Sequence, residues 1–118
     1  MVSLAKKNKT TLISEEYKRL KNLFVGQDEN KIKLVDELLK KASFLKVELE
    51  NLESIIIDEG FIETTARGGS SISGHYKAYL QTVGVYQNLI KTINGIFGKQ
   101  VVKDDDEFDE FMKKAGGI

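Results

Sequence analysis

Apolar side chains recur along this chain at steps of three and four residues in two long runs, and this period organises the sequence more than any motif does. The longer run starts near Asp28 and carries Ile32, Val35, Leu38, Leu39, Ala42, Leu45, Leu49, Leu52, Ile55 and Ile56 up to a stop at Gly60. The spacing predicts one amphipathic helix of about thirty residues, roughly 45 Å long at 1.5 Å per residue. Such a helix exceeds the diameter of a small domain, so part of its stripe needs a partner helix, from the same chain or from another copy. The second run begins near His75 with Tyr76, Tyr79, Leu80, Val83, Tyr86, Leu89, Ile90, Ile93, Ile96 and Phe97, and ends at Gly98. It predicts a helix of about 23 residues. Gly84 and Gly95 inside it each cost roughly 1 kcal/mol against alanine, which predicts close packing of another helix on them.

A shorter signal precedes these two. Ser14 reads as an N-cap, Glu15 and Glu16 fill a first turn, and Tyr17, Leu20, Leu23 and Phe24 come after them at helical spacing until Gly26. This predicts a first helix over about residues 14–25, after a lysine-rich arm without periodicity that reads as disordered. Residues 60–74 are rich in glycine, serine and threonine, and predict a loop that can hold a short strand over 61–65. The expected fold class is therefore all-α: a long antiparallel helical hairpin with a short N-terminal helix and a flexible acidic C-terminal tail. The expected division is a basic arm and short helix at 1–26, a hairpin core at 27–98 that carries self-assembly, and a partner-binding peptide at 99–118.

Composition narrows the setting. The 118 residues contain neither proline nor cysteine, which excludes a disulfide framework and a thiolate metal site. No run approaches the roughly 20 apolar residues of a membrane-spanning helix, and the first ten residues lack the apolar core of a secretory signal, so a soluble, cytosolic protein is expected. The formal net charge is zero, from 18 basic and 18 acidic residues, but the charge is segregated. Residues 1–26 hold six basic and two acidic groups, 27–63 five and ten, 64–100 four and none, and 101–118 three and six. Blocks of alternating sign pair with each other or meet partners of opposite charge.

Candidate chemistry is sparse. One histidine, His75, and no cysteine leave no nucleophile-base arrangement in a recognisable motif, so no enzyme activity, cofactor or metal is expected. Arg67-Gly68-Gly69-Ser70-Ser71 lacks the spacing of either phosphate-binding glycine loop. Asp104, Asp105 and Asp106 are consecutive and lack the spacing of a calcium loop. Lys6, Lys7, Lys9, Lys18, Arg19 and Lys21 do concentrate positive charge in the arm and first helix, where contacts to a duplex backbone would be made. Leu38, Leu45, Leu49, Leu52, Tyr79, Val83, Tyr86 and Ile90, on the two stripes, are the expected contacts between copies. Phe108, Phe111 and Met112 share one face of the acidic segment and are the expected contacts to a protein partner, with docking back on the chain's own core as the rival.

The order of these features resembles the small subunit of tailed-phage terminases. The likeness is carried by Lys33-Leu34-Val35-Asp36-Glu37-Leu38-Leu39-Lys40-Lys41-Ala42-Ser43-Phe44-Leu45, by Leu49-Glu50-Asn51-Leu52-Glu53, and after the loop by Tyr76-Lys77-Ala78-Tyr79 and Tyr86-Gln87-Asn88-Leu89-Ile90-Lys91. It covers about residues 14–98. The resemblance implies a DNA-recognising homo-oligomer of the genome-packaging motor, working in the cytoplasm of an infected host cell. Such a component forms a ring of about eight to twelve copies. It binds double-stranded viral DNA and regulates a large subunit that holds the ATPase and nuclease. Residues 1–26 are too short for the helix-turn-helix that many such proteins carry, and Ser73-Gly74 stands where many have a proline. The alternative from another class is a helical adaptor that binds protein alone.

Overall fold

The computed structural model describes residues 8–64 and 67–102, which form three helices and one small hairpin in the order α1 (Lys9–Leu23), α2 (Glu29–Glu59), β1 (Ile62–Thr64), β2 (Ser70–Ile72) and α3 (Gly74–Phe97). Helix α1 starts five residues before the expected position. Asn8, not Ser14, caps it, accepting a hydrogen bond from the Thr11 amide at 2.8 Å. Ser14 is an exposed position inside the helix, and Lys9, expected in the arm, opens its first turn. Residues 1–7, with Lys6 and Lys7, and residues 103–118, with Phe108, Phe111 and Met112, lie outside the described residues.

Helix α2 runs unbroken for 31 residues. Asp28 caps its start, accepting from the amides of Asn30 at 2.8 Å and Lys31 at 3.1 Å, and Gly60 ends it at φ 82°, where a side chain would strain the turn. Ser73 caps α3 by accepting from the Tyr76 amide at 3.0 Å, and Gly98 closes it in the left-handed conformation at φ 69°. The intervening loop holds an antiparallel hairpin in which Ile62 faces Ile72, so β1 falls within the expected strand, and β2 is an addition that the glycine-serine composition concealed. Phe61 packs on Tyr76 with ring centroids 4.5 Å apart, and its carbonyl accepts from the Ser73 amide, tying the hairpin base to α3.

The long stripe of α2 is covered within one chain. Helix α1 lies antiparallel on its first half, with Lys9 paired to Glu48 at 2.8 Å and Lys21 to Asp36 at 3.3 Å. Helix α3 lies along it from the other end, Tyr79 donating to Glu53 at 3.0 Å. The three helices close together where Phe24 meets Phe97 at 4.9 Å between ring centroids. Leu20, Phe24, Val35, Leu39, Ala42, Ile56, Tyr79, Ile90, Ile93 and Val102 belong to one buried cluster. Leu20 and Phe24, before the division expected at residue 26, and Val102, beyond that at 98, thus share the hairpin's core. Among the described residues no helix is long and apolar enough to cross a membrane.

Candidate nucleic-acid interface

The turn from α1 to α2 brings together cations separated in sequence. On α1, Tyr17 and Lys21 fall on one side of the helix, four positions apart, with Lys18 and Asn22 beside them, and Val25 follows in the turn after the helix. These five line a surface depression of about 390 Å³. Lys21 also borders a second depression of about 270 Å³, lined with Glu29, Ile32 and Lys33 from the first turns of α2. The two adjoin across Lys21. Together they make a corner lined by the apolar faces of Tyr17, Val25 and Ile32 and by three cations, Lys18, Lys21 and Lys33, with Asn22 and one carboxylate, Glu29, beside them.

Lys21 is held in place. Its ammonium lies 3.3 Å from the Asp36 carboxylate and 5.5 Å from the centre of the Tyr17 ring. The Tyr17 hydroxyl donates to the same Asp36 oxygen, and Lys40 stands 3.5 Å from the other. Hydrogen bonding to the Tyr17 hydroxyl, then to Lys21, keeps the Asp36 carboxyl below its ordinary range. The Tyr17 oxygen and then Asp36 raise Lys21.

The other candidate cations are placed differently. Arg19 forms a two-pronged pair with Glu16, at 2.9 Å through Nε and 2.7 Å through Nη2, and this hydrogen bonding raises its pKa. It lines neither depression. Lys9 is committed to Glu48. Lys18 is exposed and has no ion-pair partner among the described residues. So of the four described residues expected to contact DNA, Lys18 and Lys21 meet at the corner, and Lys9 and Arg19 do not. Sequence reasoning missed Lys33, the neighbour of Ile32, which joins the site only because α1 folds back on α2. Its place could have been read from the Gly26-Gln27-Asp28 turn, which forces that reversal.

Between the helices Lys46 sits among Glu50, Glu16 and Glu53, and burial lowers its pKa despite those carboxylates. Burial also pushes the Tyr79 hydroxyl up, reinforced by the charge of Glu53.

The residues expected to join copies are largely used inside one chain. Leu49, Tyr79, Val83, Tyr86 and Ile90 are buried in the core, and Leu38, Leu45 and Leu52 pack partly buried against it. The most exposed large apolar groups include Val25 at 74%, Leu34 at 67%, Ile57 at 59% and Val85 at 56% of full exposure, all off the expected stripes, and Leu80, expected on the stripe of α3, is exposed as well. The packing expected on Gly84 and Gly95 is not supplied by the described residues: a Cβ at either would meet none of them within 4 Å. Residues 11 apart on a helix fall within about 20° of each other, so both glycines lie on one outward face of α3, with Leu80, Asn88 and Lys91.

No protein-family model matches the chain, and no curated protein or solved structure is significantly similar to it. The resemblance to terminase small subunits therefore stands on the pattern of the helices alone.

Proposed function

We propose that this chain is a self-assembling helical component that binds duplex DNA, in the manner that the resemblance to terminase small subunits implies, and has no catalytic role of its own. The observation that carries the reading is the outward face of α3. Two interior glycines there each cost the helix roughly 1 kcal/mol, and no group among the described residues packs on them. A second copy whose helix approaches closely would use the space they leave. Leu80, exposed at 43%, lies on the same face. The longest apolar stripe is already covered internally, so assembly through α3 leaves the fold of each copy intact.

The corner of Lys18, Lys21 and Lys33 supports the DNA part of the reading, with Lys6 and Lys7 preceding α1 as further candidates. A ring of about eight to twelve copies would repeat this corner around a central axis and multiply its phosphate contacts. In this reading Phe108, Phe111 and Met112, in the acidic C-terminal segment, engage a large packaging subunit, and the setting is the host cytoplasm.

The protein-only adaptor is the second reading, favoured by the ion pairs that occupy Lys9 and Arg19. Duplex binding separates the two. Fluorescence anisotropy with a labelled duplex should show affinity that falls steeply with salt, and Lys18→Glu combined with Lys21→Glu should abolish it without changing the native mass. Undiminished affinity in that variant removes DNA from this helix. A wild-type chain with no affinity at low salt leaves the adaptor.

A further inference from the structure

We propose that the lysine-rimmed corner between α1 and α2 is the docking site of this chain's own acidic-aromatic segment, residues 104–112. The last described residues, just before that segment, are firmly placed. The Asn94 side chain accepts from the amides of Val101 and Val102, both at 2.9 Å, and donates to the Val102 carbonyl at 2.9 Å. Val102 is 1% exposed, in the same cluster as Leu20, Phe24 and Phe97. The chain thus leaves the core at the end of the bundle where Phe97 touches Phe24, and Val25, adjacent to Phe24, lines the corner.

Beyond Val102 the sequence reads Lys103-Asp104-Asp105-Asp106-Glu107-Phe108-Asp109-Glu110-Phe111-Met112. Phe108 is six positions past Val102, a reach of about 20 Å for extended chain, which is enough to cross one end of a three-helix bundle. The chemistry is complementary on both counts. Six carboxylates meet the rim of Lys18, Lys21 and Lys33, and Phe108, Phe111 and Met112 meet walls made by Tyr17, Val25 and Ile32. Helix α3 carries cations too, Lys77 and Lys91, but neither lines either depression.

Docking of this segment covers the cations that the proposed function assigns to DNA and holds the aromatic residues assigned to a protein partner. The corner is then closed by the chain itself until a competing polyanion, or a partner that captures the segment, opens it. The docking does not depend on either partner being correctly identified.

Zero-length carbodiimide coupling of the full-length chain, with mass spectrometry of the products, tests it. The reagent joins an ammonium to a carboxylate in contact. An equal mixture of ¹⁵N-labelled and unlabelled chains tells links within one chain from links between chains. Links from Lys18, Lys21 or Lys33 to the carboxylates of residues 104–110, found in unmixed isotopic form and lost at high salt, are the expected result. Phe108→Ser with Phe111→Ser should lower their yield while leaving all segment charges in place. Links concentrated on Lys77 and Lys91, links found only in mixed isotopic form, or a yield indifferent to the two phenylalanines would each overturn the proposal. Failure of DNA binding leaves this readout untouched, so the two readings fall separately.

Discussion

Gly84 and Gly95 illustrate how much a single missing carbon decides. Both occupy ordinary helical backbone inside α3, and neither has a neighbour among the described residues that a methyl group would meet. In the isolated chain Gly84→Ala and Gly95→Ala should therefore each raise stability by about 0.5–1 kcal/mol, seen as a higher urea midpoint at unchanged slope. If copies pack closely on that face, the same methyl groups should weaken assembly, a cost that a purely structural role for the glycines does not produce. Tyr17 makes a contrasting case, because its hydroxyl stabilises a charge. Tyr17→Phe removes the donor to Asp36 and should cost about 1 kcal/mol at neutral pH. Since the folded state depresses the Asp36 pKa, the advantage of the native chain is full above the ordinary value of about 3.9 and is lost as pH falls through the lower folded value. Urea midpoints of the two proteins should converge in acid; a gap that persists there would place the loss elsewhere than in Asp36.

Among the elements, the sequence is most readable where local chemistry and tertiary packing agree. Asp28, Gly60 and Gly98 are recognisable because caps depend on nearby backbone alone, and α2 and α3 begin or end where those residues stand. Ser73→Ala should cost about 1 kcal/mol by leaving the Tyr76 amide without its acceptor, lowering the thermal midpoint by roughly 4–8 °C. An unchanged midpoint would mean that the Phe61–Tyr76 stack alone fixes this junction. Features that need a distant partner are less legible. Asn8 is as good a cap as Ser14, and the start at Asn8 adds more than a turn of helix, which brings Lys9 to Glu48 of α2. The second strand is hidden because Ser70 and Ser71 have little strand preference, and pairing with Ile62–Thr64 supplies what propensity lacks. Asn94, a polar residue beside an apolar stripe, holds the chain after α3 through contacts that no local pattern announces.

For the whole molecule, periodicity shows which residues are apolar and face one way, but not which copy covers them. That ambiguity lies in Leu49, Tyr79, Val83, Tyr86 and Ile90, which fit an interface and a core equally well by spacing. The structure assigns them to the core and leaves Leu34, Ile57, Leu80 and Val85 outside. The basic corner is half legible for the same reason: Lys18 and Lys21 share a helix, whereas Lys33 joins them through the fold. The proposed function rests first on assembly of copies through the outward face of α3. Native mass by light scattering, for the wild-type chain and for Gly84→Arg over a range of concentrations, puts that assembly to the test. A wild-type mass that is a multiple of 13.3 kDa, reduced in a variant that remains helical, is the expected result. A wild-type mass of 13.3 kDa at every concentration, or a multiple that Gly84→Arg leaves unchanged, would contradict it.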